Sequence, residues 1–153
     1  KIYTDKNIWK AKARKVYVTI ENLTLLKASS GSNVKSESVI NTNEIYIDAS
    51  SGASIDIEVV AKSAVTEASS GSDVKIKGTT INHTARASSG SSINAYKLKS
   101  TNANASASSG ASINIYASKN MDAKASSGGV IDYTGNPTKI NKEASSGGSI
   151  SIN

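Results

Sequence analysis

Serine is abundant in this chain of 153 residues, but a serine nucleophile needs a base beside it, and the sequence holds one histidine, His83. His83 falls on an alternating stretch at a place where equivalent stretches carry Ala64 and Ala103, so a packed imidazole is expected there rather than a catalytic one. With no cysteine and one histidine, no Cys/His set exists for zinc or iron. Calcium-binding β-rolls repeat an aspartate after their glycines; here Asp73 stands alone, so no metal and no cofactor is expected. Hydrolysis or elimination on a polysaccharide needs clustered carboxylates. Asp56 and Glu58 are the closest such pair, but Lys35, Lys75 and Lys77 surround them and would neutralise them. What remains is binding chemistry. Tyr96 and Tyr116 fall at equivalent places in successive repeats, with Asn94 and Asn114 two residues before them. Rings beside amides on one face suit a sugar or a peptide, and they equally suit a cross-strand ladder that only stabilises a sheet.

The elements that would position those residues follow from a repeated phrase. Ala-Ser-Ser-Gly begins at Ala28, Ala49, Ala68, Ala87, Ala107, Ala125 and Ala144, and its glycines are Gly31, Gly52, Gly71, Gly90, Gly110, Gly128 and Gly147. The glycines are separated by 21, 19, 19, 20, 18 and 19 residues. A period near 20 marks a solenoid in which each repeat is one coil. Leucine-rich repeats have this length too, but Leu occurs only at positions 23, 25, 26 and 98.

Counting each coil from its alanine, position seven is Val34, Ile55, Val74, Ile93, Ile113, Ile131 and Ile150. Position nine is Ser36, Ile57, Ile76, Ala95, Ile115, Tyr133 and Ile152. Between them stand Lys35, Asp56, Lys75, Asn94, Asn114, Asp132 and Ser151. Apolar residues two apart around a polar one make a strand with one buried face. A second alternation precedes each phrase: Ile45/Ile47, Ala64/Thr66, His83/Ala85, Ala103/Ala105, Met121/Ala123 and Ile140/Lys142, the last pair breaking the pattern. A third segment of variable length absorbs the changes in period. Strands that recur once per coil lie parallel to their copies, about 4.8 Å apart. The fold class is therefore all-β, a single-domain parallel β-helix of about seven coils of 18–21 residues, right-handed by the chirality rule for parallel connections. The phrase is its corner: glycine admits unusual backbone angles, alanine fits a narrow interior, and serine hydroxyls satisfy backbone groups at the bend or serines one coil away.

Bulky residues are scarce, with no Phe and one Trp, which fits a thin core. In the outward columns, Lys35/Asp56/Lys75 and Lys27/Asp48, Glu67/Arg86 and Lys124/Glu143 are expected to pair across strands and fix register. The net charge of +6 is local: residues 1–15 carry +5, and the remainder holds 12 basic and 11 acidic side chains. Nucleic acid wants a basic stripe interleaved with aromatics along the body, so it is not expected as a partner. No stretch approaches the roughly 18 apolar residues of a membrane helix, and no transmembrane segment is expected. Residues 1–27 lie outside the repeat. "KIYTD" and "KVYVTI" alternate around a basic, Trp-bearing loop, and are read as an N-terminal strand hairpin or irregular capping coil of the same domain as 28–153. The abrupt start at Lys1 is read as a removed leader or a clipped amino-terminal region.

The segment "KVYVTIENL" followed by "LKASSGSNVKSE", and the "ASSGSSI"-type phrases after it, resemble the putative auto-transporter adhesin, head GIN domain family of Gram-negative envelope proteins. The family's amino-terminal portion, with its Gly-Ile-Asn segment, has no counterpart here. The resemblance implies a β-helical protein, secreted or in the cell envelope, facing the outer surface or the periplasm, with an adhesive role and no catalytic residues to carry over. The function expected is thus non-enzymatic: an adhesin or surface-recognition module. Its partner would be an extracellular glycan or a host or cell-surface protein, and a second copy could stack on the solenoid's open ends. The binding residues would be Asn94, Tyr96, Asn114 and Tyr116. The competing readings are a polysaccharide-degrading lyase or hydrolase and, more remotely, an ice-binding surface, which would want a regular Thr-x-Thr array that the sequence lacks.

Overall fold

The corner is built on a stricter backbone than its glycine alone requires. In the computed structural model, which describes residues 15–153, the second serine of every phrase takes a left-handed conformation, with φ between 48 and 56° from Ser30 to Ser146. The glycine after it does the same, with φ between 68 and 77°. The next residue's N–H donates to the first serine's carbonyl at 2.8–3.3 Å. Two left-handed residues closed in this way form a type I′ turn. Holding a serine there costs about 1–2 kcal/mol, and stacking supplies the offset. From Gly31 to Gly128, each corner glycine N–H donates to the carbonyl of the left-handed serine one coil on, as in Gly31 to Ser51 and Gly90 to Ser109, at 3.0–3.2 Å. The serine hydroxyls that satisfy backbone belong to the residue after the glycine. Ser72 and Ser91 are buried and donate to the carbonyls of Ala49 and Ala68, one coil earlier, at 2.8 Å.

Twelve strands follow in chain order: β1 Leu25–Ala28, β2 Asn33–Lys35, β3 Ile40–Ala49, β4 Ser54–Ala68, β5 Asp73–Ala87, β6 Ser92–Ala95, β7 Leu98–Ala107, β8 Ser112–Tyr116, β9 Asn120–Ala125, β10 Val130–Thr134, β11 Lys139–Ala144 and β12 Ser149–Ile152. Every pairing between them is parallel and in the register of the repeat: β4 with β5 (Ile55↔Val74), β6 with β8 (Ile93↔Ile113), β8 with β10 (Ile113↔Ile131) and β10 with β12 (Ile131↔Ile150). The second alternation stacks likewise, Ile45↔Ala64↔His83↔Ala103↔Met121↔Ile140. The chain is a parallel β-solenoid of about seven turns, with no helix among the described residues and hence no apolar helix to cross a membrane.

Its core is one cluster of isoleucines and small residues. Ile55, Ile57, Ile93, Ile113, Ile115 and Ile131 are at most 1% exposed and share it with the fully buried Ala49, Ala85, Ala105 and Ala123. Each buried isoleucine is worth roughly 1.5–3 kcal/mol. The small partners keep the coil thin, which is why so few large residues suffice. In β4 and β5 the chain runs continuously for 15 residues around one bend. Gly78 sits at that bend, with φ 116° and the carbonyl of Val59 so close that an added Cβ would lie 1.9 Å from it.

The ion pairs divide. The column before the corner alanine pairs as the sequence leads one to expect: Lys27–Asp48 at 3.4 Å, Glu67–Arg86 at 3.0 Å and Lys124–Glu143 at 3.0 Å. At position eight, Lys75 turns instead to Asp73 on its own strand, at 3.7 Å. Exposed pairs of this kind contribute about 0–1 kcal/mol, so either partner is within reach of the flexible lysine stem. Lys142, which breaks the inward pattern, lies in the exposed final coil, where its ammonium stands 4.5 Å from the centroid of the buried Tyr133 ring.

Of the strand hairpin or irregular capping coil expected over 1–27, residues 15–24 form no strand, and Val16, Tyr17, Val18 and Ile20 are more than half exposed. Alternation alone makes no strand without a neighbour to pair with. Pairing begins at Leu25, against Tyr46 of β3. The rest of the expected hairpin, residues 1–14, lies outside the described residues.

Candidate recognition site

Of the four residues singled out by type and spacing, the two asparagines are register partners on adjacent strands. Asn94 in β6 pairs in register with Asn114 in β8, both pointing away from the core. The ladder between these strands ends one residue later, at Ala95↔Ile115. Tyr96 and Tyr116 stand just beyond that end. Tyr116 closes β8 and pairs with Thr134, whereas Tyr96 sits in a two-residue turn that separates β6 from β7. Neither ring is free on all sides. The Lys99 ammonium lies 4.0 Å from the Tyr116 centroid, and Asn153 Nδ2 donates to the Tyr96 hydroxyl at 3.0 Å. An exposed cation–π contact is worth about 0.5–1 kcal/mol, so a ligand wanting that face of Tyr116 must displace Lys99.

A second outward face lies on the strands that precede the corner. Asn82 in β5, Asn102 in β7 and Asn120 in β9 occupy one column. Asn120 Nδ2 donates to Asn102 Oδ1 at 2.7 Å, and Asn102 Nδ2 to Asn82 Oδ1 at 2.8 Å. The neighbouring outward column is Thr84, Asn104, Asp122 and Asn141. Asn141 Nδ2 approaches Asp122 Oδ2 at 3.5 Å, while Asp122 Oδ1 is closed from solvent and has no hydrogen-bond partner. A shallow cleft of about 640 Å³ runs over both columns. Sequence reasoning passed over this face, although its signal is there: each of the three asparagines stands eight residues before a corner glycine.

The inward face beneath it holds His83, between Ala64 and Ala103 as its spacing implies. It is 1% exposed, its Nε2 lies 3.2 Å from Thr66 Oγ1, and its Nδ1 has no partner. Burial pushes its pKa down to about 4. The unfolded chain, with a histidine near 6.5, therefore binds more protons than the folded one between those values, and stability falls as pH drops through that window. The loss should reach about 3 kcal/mol by pH 4. Urea midpoints measured from pH 7.5 to 4 would show it, and His83→Met, which copies Met121 of the same column, should flatten the slope that the histidine contributes.

The carboxylates weighed for catalysis are ion-paired or isolated. Glu58 lies 3.1 Å from Lys77 Nζ, and Asp56 stands in register between Lys35 and Lys75. Among the described residues no group of three or more His, Asp or Glu side chains could hold a metal ion.

Residues 1–137 match the family profile described as putative auto-transporter adhesin, head GIN domain. The fold is similar to a crystal structure of a putative adhesin from Bacteroides fragilis, with a TM-score of 0.73 at 22% identity. The match covers 79% of this chain and 56% of that one, so the chain spans little more than half the length of this neighbour. No protein of curated function matches.

Proposed function

The chain belongs to the putative auto-transporter adhesin, head GIN domain family, and from that membership we propose that it is a non-enzymatic module of the cell surface or envelope that recognises an extended partner, a glycan in the first instance. One observation carries this reading: the outward columns run in unbroken register, as in Lys35↔Asp56↔Lys75↔Asn94↔Asn114↔Asp132↔Ser151. A parallel stack with about 4.8 Å between strands repeats each contact at a fixed interval, which rewards a ligand that is itself long and repetitive. The ion pairing of Glu58 and the lysines around Asp56 argue against the polysaccharide-degrading alternative.

The patch of Asn94, Tyr96, Asn114 and Tyr116 is the first place to test. Aromatic faces bury apolar area and the amides orient hydroxyls. On a glycan array, binding of at least one glycan should fall about tenfold or more in a Tyr96→Ala plus Tyr116→Ala variant, a loss of about 1.4 kcal/mol. Unchanged binding would remove the patch from consideration. Release of oligosaccharide products from a polysaccharide panel would instead establish the enzymatic alternative.

A further inference from the structure

We propose that the amide face over β5, β7 and β9 is a second carbohydrate site, whose ligand is an uncharged polysaccharide lying along the stack axis. This rests on the recognition reading above but not on the tyrosine patch, which lies on other strands.

The hydrogen-bond inventory of the face defines the ligand. An asparagine amide has two N–H donors and two acceptor lone pairs. The ladder Asn82–Asn102–Asn120 uses one N–H and one lone pair of its central member. The remainder of each amide is left for an outside group that both donates and accepts, as a hydroxyl does. Asp122 adds a carboxylate, which only accepts. Its Oδ1 lacks any donor, and an unmet buried acceptor is costly enough to favour whatever supplies one. The carboxylate torsion is soft and two-fold, so a small rotation presents that oxygen to the cleft. A row of ligand hydroxyls satisfies both needs.

Spacing and charge remove the other classes. Amides recur at the interstrand distance of about 4.8 Å, whereas a peptide strand advances by about 3.3 Å per residue and falls out of step within one or two contacts. A pyranose unit in an extended chain is closer to the required step. Lys139 continues the asparagine column and offsets Asp122, so the cleft has no net positive charge to hold an acidic polymer, and a single strand of nucleic acid would find no aromatic ring on the face to stack on.

The test uses the whole chain, ¹⁵N-labelled, titrated with cellohexaose, mannohexaose and, as the acidic comparison, hexagalacturonate. The side-chain amide signals of Asn82, Asn102, Asn104 and Asn120 should shift with at least one neutral hexamer and not with the acidic one. Asp122→Asn, which keeps the side chain's volume, should weaken that binding about tenfold. Shifts confined to the surroundings of Tyr96 and Tyr116 would overturn this site while leaving the glycan reading intact. Preference for the acidic hexamer, or no shift with either neutral one, would overturn it as well.

Discussion

Replacing Gly78 with alanine should prevent the chain from folding, while the same replacement at Gly90 should cost only about 1–2 kcal/mol. Both glycines have positive φ, 116° and 68°. The difference is space. A Cβ on Gly78 would lie 1.9 Å from the carbonyl oxygen of Val59, and that oxygen belongs to the neighbouring strand and cannot swing aside. Relief would require β4 and β5 to part where Val59 and Gly78 pair. At Gly90 an added Cβ meets nothing within 4 Å, and the serine before it already holds a left-handed backbone. Circular dichroism of the two purified variants separates these outcomes: a cooperative thermal transition a few degrees below the parent for Gly90→Ala, and none for Gly78→Ala. Equal losses would mean that the bend at Gly78 is misplaced.

The second large effect contrasts neighbours in sequence. Ile113→Ala should destabilise by about 2–5 kcal/mol, the range for emptying a packed aliphatic site, because Ile113 is fully buried between Ile93 and Ile131. Asn114→Ala, one residue on, points outward and should change stability by no more than about 0.5 kcal/mol. Urea unfolding midpoints at a fixed m-value provide both numbers. Similar losses at the two positions would contradict the in–out alternation of β8.

The repeat was legible because the forces behind it are local and periodic. Alternation at Val34, Ile55, Val74 and their successors reports one buried face, and the recurring phrase reports where each coil turns. The left-handed serine at Ser51 and its equivalents was not legible. That conformation is unfavourable for an isolated serine, and it is retained because its carbonyl accepts from the glycine of the coil before. Nor did the strand-like pattern at 15–20 mean a strand, since pairing depends on a neighbour that local sequence does not specify. On the outward faces the spacing places Asn94 and Asn114 at equivalent positions, and the strands pair them in register. It could not show the turn that removes Tyr96 from the ladder, because that turn comes from one extra residue in a segment of variable length. Nor could it show Lys99 over Tyr116, a contact decided by side-chain reach. The asparagine ladder carried the same periodic signal as the corner, each asparagine standing eight residues before a corner glycine.

Everything rests on equivalent positions lying one above another. The chain has no cysteine, so Lys35→Cys can be combined with Asn114→Cys, Asp132→Cys or Ser151→Cys and spin-labelled without background. These outward sites lie four, five and six coils from Lys35. Pulsed electron–electron distances should rise by about 4.8 Å at each step, from roughly 19 Å to roughly 29 Å. A label at Ser151 as near to Lys35 as one at Asn114, or distances that do not increase in that order, would mean that the coils do not stack and that neither recognition face exists.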